Sequence, residues 1–122
     1  MQYYKIKKII NTMKEVFQNL SDLAAEYLDE VSCNPEQWEL SDDDVEEAKA
    51  NFERIKEYAD SIIEEADCNI NYTPLCTFDM GWCVEGETAT FYAEDVEYTD
   101  FYFEGSMPLA ELPKSFQLRI TK

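Results

Sequence analysis

The chain has no histidine among its 122 residues. That removes the commonest general base and the commonest transition-metal ligand. Glycine is scarce, three residues in all, and none belongs to a Gly-rich loop of the kind that cradles phosphates. Basic residues are few: 10 Lys or Arg stand against 27 Asp or Glu, a net charge of −17. Such a chain repels the phosphates of nucleic acid and the anionic face of a membrane, so neither is expected as a direct partner. No apolar run is long enough to span a bilayer. The first ten residues carry Lys5, Lys7 and Lys8. They lack the unbroken apolar stretch and small-residue cleavage site of a secretory signal. A cytoplasmic location is expected, with Cys33, Cys68, Cys76 and Cys83 as free thiols.

The cysteines contain no C-x2-C pair, and no His completes a site, so zinc is not expected. Cys76 and Cys83 lie close enough in sequence to meet. Asp42-Asp43-Asp44 lacks the alternating ligands and the Gly of a calcium loop. Carboxylate pairs are abundant, but 27 acids in 122 residues produce them by chance. No catalytic residue and no cofactor are expected, and the chain reads as a non-enzyme.

What is present suffices for one core: 45% of the residues are hydrophobic and 14% aromatic. Residues 1–122 read as a single domain with a helical half, 1–67, and a β-rich half, 68–122. In the first half Ile6, Met13, Leu20 and Tyr27 recur every seven residues, as do Ile9, Val16 and Leu23, and Ile10, Phe17, Ala24 and Val31. This pattern predicts one helix from about Tyr3 to Val31, ended by Ser32-Cys33-Asn34-Pro35. Ser41, with Asp44 three residues on, resembles a capping box and opens a second helix. Its seam is Val45, Ala48, Phe52, Ile55, Ala59, Ile62 and Ala66. Two long helices joined by a short connection suggest an antiparallel hairpin.

Beyond Cys68 the period changes to two. A hairpin is predicted with Trp82-Cys83-Val84 and Glu87 to Ala93 as arms and Glu85-Gly86 as turn. Tyr98 to Glu104 and Phe116 to Ile120 also alternate and are predicted strands, with one helical turn at 108–112 between them. Ile70 to Phe78 reads as a further edge strand, weakened by Pro74. The register should place Ala89, Phe91 and Ala93 on the buried face with Phe101 and Phe103, which requires an odd-length connection after Ala93. Tyr92, Tyr98, Asp100, Tyr102 and Glu104 then share the outer face. The expected fold is α+β: an N-terminal antiparallel hairpin of two long helices packed on a C-terminal antiparallel β-sheet of three to five strands.

The charge is uneven. Residues 1–14 hold four Lys and no acid, and residues 114–122 add Lys114, Arg119 and Lys122. Between them all 27 acids face only Lys49, Arg54 and Lys56, a net of −24. Either the basic ends fold back on the acidic body and relieve its self-repulsion, or they lie apart and leave one face almost purely negative. The second helix is the most acidic element. From Asp42 to Asp67 it carries eleven carboxylates, one per ~3.5 Å of axis at ~1.5 Å rise per residue. One strand of duplex DNA carries a phosphate per ~3.4 Å. Asp42/Glu46, Asp43/Glu47, Glu53/Glu57 and Asp60/Glu64 are like-charge pairs four apart, which cost helix stability. The candidate partner-binding residues are therefore Asp42, Asp43, Glu46, Glu53, Glu57, Asp60 and Glu64 on the helix. Tyr92, Tyr98, Asp100, Tyr102 and Glu104 are the candidates on the sheet, where tyrosines serve as anchors with polar tips.

In size, charge and absence of catalytic motifs, the whole chain resembles the small acidic inhibitors carried by phages and mobile elements. These are the anti-CRISPR proteins, other DNA mimics, and acidic immunity or antitoxin proteins. The resemblance rests on profile and not on a motif. It implies a basic partner: a nuclease, a CRISPR effector or another nucleic-acid-binding protein, met in the host cytoplasm if the gene is phage-borne. The rival expectation is an accessory or structural protein that forms a homodimer through its helices, with acidity serving solubility alone.

Overall fold

The computed structural model describes residues 11–64 and 76–121. Helix α1 spans Met13–Cys33 and helix α2 spans Asp42–Glu64. Strands β1 (Asp79–Glu85), β2 (Thr88–Glu94) and β3 (Tyr102–Pro108) form one antiparallel sheet in the order β1-β2-β3. Helix α3 spans Lys114–Ile120. The class is α+β, with the two long helices first and the sheet after them.

Helix α1 begins later than the heptad pattern predicts. Thr12 is extended, at φ −71° and ψ 162°, and closes a reciprocal cap with Glu15. The Glu111 carboxylate accepts the Met13 amide at 2.6 Å, a negative charge at the positive end of the helix dipole. Capping thus overrides an apolar period that runs straight through residue 12. The part of the predicted helix before Asn11 lies outside the described residues. At the other end α1 stops at Cys33 before Asn34-Pro35, where proline excludes a further turn. Helix α2 begins after Ser41, whose hydroxyl accepts the Asp44 amide at 3.2 Å while its own amide reaches the Asp44 carboxylate at 3.4 Å. The shorter acid therefore serves in the capping box.

The predicted seam of α2 is buried at Ala48, Phe52, Ile55, Ala59 and Ile62 and partly buried at Val45, joined by Asn51 and Tyr58; Ala66 lies outside the described residues. Phe17 meets Tyr58, Ser21 meets Asp60 and Tyr27 meets Phe52. These contacts pack α1 against α2. Buried Asn51 is satisfied from outside the helix: its amide group donates to the Thr77 hydroxyl at 2.9 Å and accepts the Thr77 amide. That pins α2 to the residues that lead into β1.

The β1–β2 hairpin has a two-residue loop, Gly86-Glu87, since Glu85 pairs with Thr88. Gly86 sits at φ +62° while Glu87 does not, the signature of a type II′ turn with Gly first. The predicted turn was offset from this by one residue. Glu94 pairs with Tyr102 and Ala93 with Phe103, so the connection is the seven-residue loop 95–101, odd as the register demanded. Ala89, Phe91, Ala93, Phe101 and Phe103 are buried together. The rows of the inner face each combine large and small side chains: Met80, Ala93, Phe103; Trp82, Phe91, Gly105; Val84, Ala89, Met107.

Two strand expectations fail. The predicted strand at 98–104 begins only at Tyr102, because Tyr98 to Phe101 form the loop. The predicted strand at 116–120 is helix α3. Phe116 and Ile120 lie four apart as well as alternating, so one helical face turns both to the core, Phe116 buried and Ile120 partly so, and Phe116 packs edge-on to Trp82. Leu118, the residue that only a strand would bury, is exposed. Most of the predicted strand at 70–78 lies outside the described residues; Cys76 to Phe78 are not in a strand.

Gly105 marks where α1 crosses the sheet. A Cβ built there falls 2.6 Å from the Val16 Cγ1 atom. Gly105→Ala should therefore destabilise the fold by about 1–3 kcal/mol, the usual cost of overpacking, because β-branched Val16 cannot swing aside. Val16→Ala added to it should recover part of the loss in thermal melting. Equal stability of Gly105→Ala and the parent would contradict this close approach.

Candidate functional site

Almost every described carboxylate is exposed; Glu30, Asp44 and Asp60 are partly buried and Asp95 is buried. On α2, Glu46, Glu53, Glu57 and Glu64 are exposed and spaced seven, four and seven apart. That spacing aligns them on one stripe opposite the buried seam. Asp42 and Asp43 extend the acidic surface at the first turn. Successive stripe residues are ~10, ~6 and ~10 Å apart along the axis, against ~3.4 Å for phosphates on one DNA strand. The stripe is a polyanionic surface and not a phosphate-by-phosphate copy.

Asp60 departs from the predicted row. It faces α1, accepts the Ser21 hydroxyl at 2.6 Å and pairs with Lys56 at 2.9 Å. Burial opposes its ionisation, but the hydrogen bonds from Ser21 and Lys56 hold it below the usual carboxylate range. The residue belongs to the helix–helix contact rather than to the outer stripe.

The predicted sheet face also divides. Tyr92, Tyr102 and Glu104 lie on the outer face, where Tyr92 pairs with Glu104 and the Tyr102 hydroxyl donates to Glu104 at 2.7 Å. Tyr92 lies over Gly81, whose added Cβ would meet its hydroxyl at 3.0 Å. Tyr98 and Asp100 are instead in the 95–101 loop and bind the helices. The Tyr98 hydroxyl donates to Glu47 on α2 at 2.6 Å, and the Tyr27 hydroxyl on α1 donates to Asp100 at 2.9 Å. The parity argument placed them on the outer face because it assumed a strand through residues that form a loop.

Asp95 holds that loop. It is buried, and its two oxygens accept the amides of Glu97, Tyr98 and Thr99 and the Thr99 hydroxyl, at 2.7–3.1 Å. Its own amide donates to the Phe101 carbonyl. Sequence reasoning passed over Asp95, Tyr27 and Glu47. An Asp with Thr four places on, in Asp95-Val96-Glu97-Tyr98-Thr99, was a readable signal for side-chain capping of a loop. Tyr27 and Glu47 carried no such local signal.

The α2 stripe and the outer sheet face are two layers apart. The helices cover the inner face of the sheet, through Phe17 and Tyr58 on Phe91. One flat partner surface cannot touch both sets. Among the described residues no group of three His, Cys, Asp or Glu is arranged to hold a metal, and no helix is long and apolar enough to cross a membrane. Cys33, Cys76 and Cys83 are unpaired thiols, so the possible meeting of Cys76 with Cys83 is not realised as a bond. Cys68 lies outside the described residues.

The tyrosine–carboxylate contacts set a pH limit. Burial, followed by the bond to Asp100, pushes the Tyr27 phenol up to about 12. The bond to Glu47 raises Tyr98, and the bond to Glu104 raises Tyr102. A folded-state value above the unfolded value of 10.0 favours the protonated, folded form. The stabilisation is complete below pH 10 and is lost as pH climbs towards 12. Absorbance titration near 295 nm should show these phenols ionising late, together with loss of near-ultraviolet circular dichroism. Full titration of every tyrosine near pH 10 in folded protein would contradict the contacts.

No protein-family model, curated protein or solved structure matches this chain.

Proposed function

We propose that this chain is an acidic inhibitor that blocks the basic nucleic-acid-binding surface of a nuclease, a CRISPR effector or another nucleic-acid-binding protein. The observation that carries the reading is the α2 stripe: Glu46, Glu53, Glu57 and Glu64 stand exposed opposite the buried face formed by Ala48, Phe52, Ile55, Ala59 and Ile62. Glu53 and Glu57 are four apart and repel each other at a cost in helix stability. A surface selected for stability would place a base at one of them. The mechanism is competitive and non-catalytic. Carboxylates face the lysines and arginines that otherwise hold phosphate, and long-range attraction speeds encounter. The site of action is the cytoplasm, that of the host cell for a phage-borne protein.

Self-association through the helices is the rival. The large hydrophobic side chains exposed among the described residues are Val96, Tyr102 and Leu118. None lies on α1 or α2, so those helices offer no apolar stripe for a second copy. The test is binding, at low and raised salt, to a panel of purified basic nucleases and RNA-guided effectors. At least one should be bound in competition with nucleic acid, with affinity falling steeply as salt rises. Failure to bind any of them, with a stable homodimer in sedimentation, would overturn the reading.

A further inference from the structure

We propose that the outer face of the sheet is a second docking surface, one that takes an arginine side chain of a partner protein. The surface is separate from the α2 stripe and does not depend on the inhibitor reading. On this face Glu94 stands opposite Tyr102, and Tyr92 opposite Glu104. The Ser106 carbonyl accepts the Asn11 amide, so the Ser106 backbone groups point away from β2, and those of Glu104 and Tyr102 follow by alternation. Both pairs are therefore non-hydrogen-bonded pairs, with Cα atoms ~4.5 Å apart and side chains at their closest. Tyrosine and carboxylate thus alternate along each strand and across the two. The glutamates lie on one diagonal, ~7–8 Å apart, and the tyrosines on the other.

Tyr92 is the centre of this patch. It pairs with Gly81, and a Cβ built there would meet its hydroxyl, Cζ and Cε1 atoms at 3.0–3.2 Å. The ring therefore lies across β1 on a residue without a side chain, half-buried and open to solvent on the rest of its surface. Asp79, Glu94 and Glu104 stand around it, all exposed. Asp79 is directly opposite Glu94, a like-charge pair that costs sheet stability until a cation joins it. From Asp79 to Pro108 there is no Lys or Arg. The helices pack on the inner face, through Phe17 on Phe91 and Phe116 on Trp82, so their bases lie on the other side of the sheet. Tyr102 is 52% exposed, and its hydroxyl donates to Glu104 at 2.7 Å, which orients that carboxylate and leaves its other oxygen free of this bond. Exposed aromatic rings among unanswered carboxylates suit a cation. A guanidinium suits them better than an ammonium, because it is planar, stacks on a ring and carries a fork of donors for carboxylates on either side. A second copy of the chain would bring the same carboxylates and is repelled.

The test is nuclear magnetic resonance titration of the full chain with a blocked glycine–arginine–glycine tripeptide, and with its lysine and citrulline counterparts. The arginine peptide should shift the ring signals of Tyr92 and Tyr102 saturably. The lysine peptide should bind several-fold more weakly, and the uncharged citrulline peptide should leave the rings unmoved. Glu94→Gln/Glu104→Gln, at exposed positions, should weaken arginine binding about tenfold or more in folded protein, and Tyr102→Ala should weaken it independently. The α2 variant with Glu46, Glu53, Glu57 and Glu64 all changed to Lys should keep the ring shifts and the preference for arginine over lysine. Equal binding of the arginine and lysine peptides, shifts confined to α2, ring shifts unaltered by the double Gln change, or no binding at all would each overturn the proposal.

Discussion

Asp95→Ala is expected to cost about 2–4 kcal/mol, a loss of 10 °C or so in melting temperature for a domain of this size. The carboxylate accepts four hydrogen bonds from within its loop and is only 4% exposed. Its removal strands three backbone amides. Some regain water, because Glu97 is exposed, so the cost stays below the sum of the individual bonds. The loop also carries Tyr98 to Glu47 and Asp100 to Tyr27. Loosening it should let the Tyr27 phenol fall from about 12 towards 10. A milder Tyr27→Phe change should cost about 1 kcal/mol, the net value of one hydrogen bond. Asp95→Asn keeps one acceptor but turns an N–H towards the Thr99 amide, and should fall between parent and Ala. A fully stable Asp95→Ala protein would mean that the loop is held by its aromatic contacts alone.

Asp95 also shows where sequence reading stops. The helix seams were legible because one face of α2 had to be apolar for the helix to be buried at all, and Phe52, Ile55, Ala59 and Ile62 obey that period. The register of β2 on β3 was legible because a slip of one residue would have exposed Phe91 and Phe103. The loop was not, because alternation from Tyr98 to Glu104 fits a strand equally well, and only the buried carboxylate decides otherwise. Helix α3 fails for the same reason: Phe116 and Ile120 satisfy a period of two and a spacing of four, and seven residues are too few to separate them.

The candidate surface was legible in composition and not in arrangement. A list of acids along α2 cannot say that Asp60 turns inwards, since that depends on Ser21, 39 residues away in sequence. Nor can it say that Tyr92, Tyr102 and Glu104 lie two layers from the stripe. The helix acids and the outer sheet face, two candidate sets in the sequence, lie on two separate surfaces. The α2 stripe is the surface proposed above for a foreign basic partner.

That separation makes the functional reading testable by charge reversal. Glu46, Glu53, Glu57 and Glu64 changed together to Lys shift the net charge by eight, from −17 to −9. All four side chains are exposed and the seam is untouched, so the fold should survive, and relief of self-repulsion should hold or raise the melting temperature. Binding to the basic partner should weaken by two or more orders of magnitude, mainly through slower association, with loss of the steep salt dependence. Asp60 must be left out of the set. Reversing it would place a lysine beside Lys56 and break the bond to Ser21, so a loss of binding there would report damage to the helix pair. Tyr102→Ala discriminates between the two surfaces: on the far face of the sheet, it should leave the association rate and the salt slope unchanged. If Tyr102→Ala weakens binding while the folded quadruple Lys variant binds as tightly as the parent, the sheet face is the interface and the stripe is only a solvated helix surface.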